Sequence, residues 1–383
     1  MNREIYIAGA AMTPFGRHAN SSMQDLTQAA VLGAISDAGI DPDDAQAFYA
    51  ANVYGGMVLG QVLLRDLGIT GPPIYNVENA CASGATAVHL ARQALQLGLY
   101  DTVIVFGVEQ LTKLGGGTIP LQRNDYKTEL YAQQGMTLPT VYAMRGSRYL
   151  YERNLGMDVL AHVAVKNRAN GARNPLAQQR TPVTLEEVMA SRPIAEPLTL
   201  LQCCPSAVDG AAALVLTAKK PASGRPRVRI LGSAVLSGHI EEGCDDILDA
   251  EITARTARAA YEQAGLGPRD LDVVELHDAF TIAELLYYEA LGLANRGEGA
   301  DLLLSGATEI GGRVAVNPSG GLLAKGHPLG ATGVAQMVEL VWQLQARAVG
   351  RQVEGARVGL AQCTGGGIAG VDHAASAVHL LGV

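Results

Sequence analysis

A chain of 383 residues, 48% apolar and 17% charged, has an ordinary globular composition and enough length for two or three domain-sized cores. A net charge of −8 argues against non-specific nucleic-acid binding, and no apolar run is long enough to span a bilayer. Five cysteines at irregular spacing, without a Cys-x-x-Cys pair, fit neither a disulfide framework nor a zinc site and point to a reducing, cytoplasmic compartment.

The first strand is predicted at Glu4–Ala10, with no signal-peptide core before it. Helix Met23–Gly39 follows, with Leu26, Ala29, Ala30 and Leu32 at helical spacing and Gly39 at its end. A strand near Ala47–Val53, a helix near Gln61–Leu67 and an extended run Pro73–Val77 lead into Asn79-Ala80-Cys81-Ala82-Ser83-Gly84-Ala85-Thr86. Helix Ser83–Leu97 leads out, followed by strand Thr102–Val108. Strand alternating with helix predicts a parallel sheet with helices on its faces.

From Leu111 to Pro205 the alternation stops. Gly115-Gly116-Gly117, Pro120, Gly135 and Pro139 mark loops, and helices are predicted at Val141–Asn154 and Asp158–Asn170. Eleven Lys and Arg against seven acids make this stretch +4, so the remainder is −12. It reads as an insertion over the first unit. Its charge fits either a normally solvated surface or local attraction for an anionic small molecule. The chain returns to the sheet at Ala211–Leu216, and Pro221–Pro226 is the clearest linker.

The second unit is predicted to contain strand Val228–Leu236, helix Ile252–Ala264, strand Asp272–Leu276, helix Ile282–Leu291, a glycine-rich passage from Gly306 to Gly326, strand Arg357–Gln362 and a last strand near Val371–Val378. It repeats the first. Cys81-x-x-Gly84-Ala85-Thr86 is echoed by His327-x-x-Gly330-Ala331-Thr332, and each opens a helix followed by an apolar strand.

Four loops fall where strands end or helices begin: Cys81, His277-Asp278-Ala279-Phe280, Gly326-His327-Pro328 and Cys363-Thr364-Gly365-Gly366-Gly367. Ligands of open α/β sheets bind at that edge. A cysteine between strand and helix lies beside unpaired backbone N–H groups and the positive end of the helix, which favour thiolate. Taken singly, it is equally a small buried thiol, His327 a turn histidine and the triple glycine a sharp turn. Taken together, they divide the labour of carbon–carbon bond chemistry. Cys81 is the nucleophile and His327 its base. Backbone N–H groups at Cys81 and Gly365 are the oxyanion donors. His277 and His327 can hold an enolate oxygen, and Cys363 is the carbon acid/base. These roles describe Claisen condensation or its reverse.

The motifs resemble those of thiolases, most closely the sterol-carrier-protein-type and archaeal acetyl-CoA acetyltransferases. The matching stretches are Glu78–Gly84, Glu275–Thr281, Asn317–Gly333 and Gln362–Gly367, within a resemblance that covers essentially the whole chain. It implies two duplicated βαβαβαββ halves forming a five-layered α-β-α-β-α core with an inserted loop domain. The halves would be 1–110 plus 206–220 and 225–383, with 111–205 as the coenzyme A-binding insertion. It also implies acylation of Cys81, activation by His327 and acid/base work by Cys363. Other thiolases carry Asn-Glu-Ala-Phe where this chain has His277-Asp278-Ala279-Phe280. The His form resembles the sterol-carrier subgroup, in which this histidine helps build the enolate oxyanion hole. Coenzyme A thioesters are the implied substrates, with no bound cofactor and no metal. The implied assembly is a homodimer or a dimer of dimers, with room for a small accessory subunit.

Three rivals share the pattern in part. An acyltransferase of the same fold passing its acyl group to a non-CoA carbon nucleophile would use Cys81, His277 and His327 but not Cys363. A retro-aldol lyase working with a small partner would lack Cys81. A non-catalytic scaffold or lipid-binding subunit would not need all of Cys81, His327, His277 and Cys363. Among other residues, Cys203 and Cys204 read as buried thiols, Cys244 is unassigned, and His89 is structural. Asp278 either orients His277 or caps the next helix. Tyr142, Met144 and Met136 either line an acyl pocket or pack in the core. Ser237, Gly238 and His239 are weak candidates for the site.

Overall fold

The structure, a computed structural model, describes residues 3–114, 129–130, 133–222, 224–239, 246–367 and 373–383. Cys244, Gly115–Gly117, Pro120, Arg123 and Lys127 lie outside the described residues.

The first unit contributes strands β1 (Tyr6–Met12), β2 (Phe48–Ala51), β3 (Ile74–Val77) and β4 (Thr102–Gln110). A small hairpin of β5 (Pro193–Ala195) and β6 (Leu198–Thr199) precedes β7 (Asp209–Thr217). The second unit contributes β8 (Arg229–Ser237), β9 (Val273–Glu275), β10 (Ala315–Val316), β11 (Val358–Gly365) and β12 (Ala375–Gly382). Apart from the hairpin they form one sheet in the order β10-β9-β11-β12-β8-β1-β7-β4-β2-β3. Read outward from the β1–β8 contact, where Tyr6 faces Arg229, the two halves have the same order. Each is mixed, not parallel as the strand–helix alternation predicts. In each, the last strand runs antiparallel to its neighbours on both sides, β7 to β1 and β4, β12 to β8 and β11. Residues 366–374 between β11 and β12 are too few for the crossover a parallel pair requires.

Side-chain alternation divides the molecule into layers. Val103, Val105, Leu214 and Leu216 face a central core, while Ile104, Phe106, Ala213 and Val215 face an outer one with helix Met23–Ala38. In the second half, Ala361 and Leu381 face the centre, while Leu360 and Leu380 pack with helices Glu251–Ala264 and Thr281–Ala290. Two helices fill the centre, Ser83–Gln96 and Leu329–Leu344, giving α-β-α-β-α. They approach so closely that glycine is required. A Cβ on Gly333 would lie 2.3 Å from the Ala85 nitrogen, and one on Gly84 would lie 2.7 Å from the Gly330 oxygen. A Cβ on Gly107 of β4 would lie 2.1 Å from that same oxygen.

The stretch between β4 and β7 contains helices Leu138–Arg153 and Asp158–Ala172. Its packing is unexpected from chain order, because it docks on the second half. Asn170 Nδ2 donates to Asn317 O (3.0 Å), Asn174 Nδ2 to Ser319 O (2.9 Å) and Lys166 Nζ to Val316 O (2.9 Å). Lys166 pairs with Glu284 (2.7 Å), and both side chains are buried. Arg145 is buried and Arg148 pairs with Glu152. The +4 surplus of this stretch is therefore partly internal, with Lys113, Arg173, Arg180 and Arg192 left exposed. Among the described residues, no helix is long and apolar enough to cross a membrane.

Candidate active site

Cys81 closes a tight turn after β3. Ala80 adopts φ +48°, a left-handed conformation uncommon for a residue with a side chain. Ser83 secures the turn, its Oγ accepting from Asn79 N (2.9 Å) and donating to Ala80 O (2.6 Å). Helix Ser83–Gln96 then starts without a side-chain cap, so its first N–H groups remain beside Cys81. Strand β11 passes directly under the turn. A Cβ on Gly365 would lie 2.1 Å from Asn79 O and 2.8 Å from Ala82 N, so only glycine fits there.

Cys81, His277 and His327 converge, each offering one ligand atom, all within 4.8 Å of one another. The two imidazoles meet edge to face with centroids 4.9 Å apart. Cys363 Sγ lies 3.4 Å from His277 Nδ1 and donates to Cys81 O at 3.1 Å. The four side chains predicted to work together thus share one largely buried centre. Gly365 adjoins it, but the amides acting on the Cys81 sulfur are those of Gly366 and of Cys81 itself.

The tautomer of His327 follows from its partners. Thr332 Oγ1 donates to Pro328 O (3.0 Å), so it accepts from His327 Nδ1 (2.7 Å). The Nδ1 carries the proton and Nε2 presents a lone pair. Among the described residues, Nε2 is buried and has no hydrogen-bond partner. Burial holds His327 down to about 3 and pushes Cys81 up to about 12, the Gly366 and Cys81 amides opposing the rise. The resting pair is therefore neutral thiol and neutral imidazole, not the thiolate that the helix start alone suggests. Burial also holds His277 well below the usual histidine range and Cys363 well above the thiol range.

A supporting layer of buried charge lies behind His277. Asp278 accepts from Leu322 N (2.7 Å), Leu323 N (3.3 Å) and Asn167 Nδ2 (2.8 Å). Asn167 also donates to Glu284 (2.7 Å), which accepts from Asn317 Nδ2 (2.9 Å) and the Tyr288 hydroxyl. Asp278 thus caps the turn Gly321–Ala324 instead of pairing with His277. Beneath Cys81, Glu109 accepts from Asn52 Nδ2 (3.0 Å) and the amides of Val53 (3.1 Å), Tyr54 (3.1 Å) and Gly330 (3.1 Å). Burial still pushes it up to about 7.

His373 is a member of this environment that no sequence motif announces. Its Nδ1 donates to Gly366 O (2.9 Å), so its Nε2 accepts from the Tyr142 hydroxyl (2.6 Å), with the Tyr287 hydroxyl 3.1 Å away. Its ring is 6.4 Å from that of His277. Tyr142 stacks on Phe280 with centroids 4.6 Å apart. Of the three suggested pocket residues only Tyr142 is brought to the centre, and Met144 is exposed.

The remaining candidates lie elsewhere. Cys203 and Cys204 are half-buried free thiols. Their main chain pairs with Phe280 and Ala279, tying the end of the insertion to the His277 loop. Ser237 and His239 are exposed. His89 Nδ1 bonds Ser233 Oγ (2.8 Å), which bonds His379 Nδ1 (2.9 Å), a line within the fold.

Residues 5–220 match the thiolase N-terminal domain family, and residues 232–378 match the family described as thiolase C-terminal domain-like. The chain is 43% identical to the benzoylsuccinyl-CoA thiolase subunit BbsB of Thauera aromatica, over 96% of each chain. It is 42% identical to an acetyl-CoA acetyltransferase of Methanothermobacter thermautotrophicus, over 95% of this chain and 97% of that one. Human sterol carrier protein 2 is 37% identical over 94% of this chain, which spans 69% of its length. Among solved structures, an Ltp2-ChsH2(DUF35) aldolase superposes with a TM-score of 0.85 at 26% identity, over 99% and 98% of the two chains. Human mitochondrial 3-ketoacyl-CoA thiolase superposes with 0.72 at 19% over the same shares, a likeness of fold.

Proposed function

The chain belongs to the thiolase family of acyltransferases, and from that premise we propose that it makes or cleaves 3-ketoacyl-CoA through an acyl-enzyme on Cys81. The observation that carries the reading is the convergence of Cys81, His277 and His327 within 4.8 Å, with Cys363 against His277.

In the first half-reaction, His327 Nε2 takes the Cys81 proton as the sulfur attacks the thioester carbonyl. Because both groups rest neutral, charge appears only as the bond forms. Main-chain N–H groups at Cys81 and Gly365 hold the oxyanion, with Gly366 beside them. The carbon–sulfur bond to coenzyme A breaks and the leaving thiolate takes a proton from Cys363. Cys363 is then a thiolate and His327 an imidazolium. In the second half-reaction Cys363 removes a proton from the methyl carbon of acetyl-CoA. His277 and protonated His327 face the enolate oxygen, and the carbon attacks the acyl group on Cys81. His327 returns its proton to the departing Cys81 sulfur.

We read residues 1–110 with 206–220 as one half, 225–383 as the other, and 111–205 as the side on which coenzyme A docks. A homodimer is supported by β3, which ends the sheet order with Tyr75 exposed, and by exposed Met57, Val58 and Val62 in the segment that precedes it. Relatives named as a subunit and as an Ltp2-ChsH2 assembly support an accessory subunit as a further partner. Free thiols at Cys81, Cys203, Cys204 and Cys363 suit a cytoplasmic setting. The retro-aldol alternative draws on the superposition at 0.85, but a cysteine within reach of His327 Nε2 weighs against it.

The test is incubation with a panel of acyl-CoAs followed by intact-mass measurement and peptide mapping. The expected result is one acyl group on Cys81, with the retained acyl group reporting the substrate class. Condensation without any acyl mass on the protein would exclude this reading.

A further inference from the structure

The groups that make Cys81 reactive also form an open three-ligand metal set. One sulfur and two imidazole nitrogens lie within 4.8 Å of one another. A tetrahedral zinc, with Zn–S about 2.3 Å and Zn–N about 2.0–2.1 Å, wants them roughly 3.3–3.6 Å apart. Metal binding therefore requires the ligand atoms to close by up to about 1.2–1.5 Å.

Four further observations point to a cation. His327 Nε2 is buried and, among the described residues, has no hydrogen-bond partner, and its imidazole is a member of the cluster. Its other nitrogen donates to Thr332 Oγ1, which donates onward to Pro328 O. That is the supporting arrangement of a metal-binding histidine, in which a partner on the far nitrogen fixes the tautomer and the ring. Cys363 supports His277 at Nδ1. Finally, the carboxylates of Glu109 and Glu78 lie close enough to act on the Cys81 sulfur and offset added positive charge. A thiol with two imidazoles selects zinc and neighbouring borderline-soft ions over magnesium or calcium, which want oxygen ligands.

We propose that the resting enzyme binds one Zn2+, or an ion of the same class, through Cys81, His277 and His327, and that this occupancy blocks acylation. On binding, the Cys81 S–H bond breaks, a sulfur–metal bond forms and the proton leaves to solvent, with no change of oxidation state. Acylation replaces the S–H with an S–C bond and removes the ligand, so acyl group and metal exclude each other. That exclusion rests on the function proposed above, whereas the metal site itself does not.

The experiment titrates the full-length protein with Co2+, whose thiolate charge-transfer and ligand-field bands report the coordination, then displaces it with Zn2+. One Co2+ per chain is expected, with the sulfur band lost in Cys81→Ala. Affinity should fall about 10- to 100-fold in Thr332→Val, which removes the partner of His327. The wild-type protein pre-treated with acetyl-CoA should neither bind Co2+ nor be inhibited by Zn2+. A sulfur band that persists in Cys81→Ala would place the metal on another thiol, Cys363 beside His277 or Cys203 or Cys204 elsewhere, and overturn the proposal, as would the absence of stoichiometric binding. If acetyl-CoA left no mass on Cys81 while the band formed normally, the function would fail and the metal site would stand.

Discussion

The connections β4–β7 and β11–β12 occupy the same place in two copies of one unit, yet residues 111–208 form the first and residues 366–374 the second. The long connection belongs by sequence to the half that carries Cys81, but its buried polar side chains serve the other half: Lys166 and Asn167 at Glu284, Asn167 at Asp278, Tyr142 at His373. The short connection does the reverse, carrying the Gly366 amide back to the Cys81 sulfur. Each half is thus completed by a loop from its copy. Cys81 lies in one copy, and His277, His327 and Cys363 lie in the other.

Breaking the division at the nucleophile has the largest expected effect. Cys81→Ala should acquire no acyl mass from acetyl-CoA, while His327→Ala should still acylate but about 10²–10⁴-fold more slowly. Full-stoichiometry acylation of Cys81→Ala would remove the first half from the chemistry altogether.

Cys363→Ala tests the other side. Acylation should remain within a few-fold of wild type, because a coenzyme A thiolate can depart unprotonated and take its proton from water in place of Cys363, whereas exchange of acetyl-CoA methyl protons with deuterated water should slow about 10²–10⁴-fold. Mass and exchange measured on one preparation separate the two half-reactions. Exchange at the wild-type rate would favour the acyltransferase that lacks this acid/base.

Asn167→Leu cuts the long connection away from the His277 loop. Two hydrogen bonds to buried carboxylates go unmade, and urea unfolding should show a loss of about 3 kcal/mol. A change near zero would mean that Lys166 holds the loop unaided.

His373→Ala cuts the short connection. A displaced, though not deleted, amide donor should slow Cys81 acylation about tenfold, against 10²–10³-fold for full removal of such a donor. His373→Asn should recover most of the rate, because its amide can still donate to Gly366 O. Equal rates for all three proteins would leave His373 a packing residue.

The smallest effect lies where the halves meet. Burial holds His379 at about 3, so below the ordinary histidine value near 6.5 the unfolded chain takes up a proton that the folded chain refuses. Stability should then fall by up to about 1.4 kcal/mol per pH unit between 6.5 and 3 for this group. Above 6.5 it should make no difference. His379→Gln should flatten that slope in urea midpoints taken at pH 4.5, 5.5 and 7, and an unchanged slope would assign the acid sensitivity to His277 and His327.

Cys81, His277, His327 and Cys363 were legible because each stands in a motif with glycines or prolines at set offsets, at strand ends or helix starts. The same logic located most elements to within two or three residues, helix Glu251–Ala264 and its Gly265 cap among them. It failed where the answer depends on which way a side chain points across the tertiary structure. Nothing around His373 distinguishes it until β11 and the insertion enclose it. Lys166 counts as a surface cation in a charge sum, yet it lies inside against Glu284. Helix-start geometry suggested a thiolate at Cys81, but burial outweighs the helix dipole there. The same residues were legible as a catalytic set, but their convergence within 4.8 Å, which the metal proposal uses, depends on the tertiary structure.

The crossing of the two central helices has a mechanical consequence. Gly84, Gly330 and Gly333 bring main chain against main chain, and Gly107 presses β4 on the same point. A separation fixed by touching backbones has no rotamers to repopulate and little free volume to fill when the molecule warms or is compressed. Cys81 and His327, the proposed nucleophile and base, each sit just before the start of one of these helices. Their spacing should therefore expand with temperature far less than a gap bridged by leucines or methionines, behaving as a rigid spacer between the two residues.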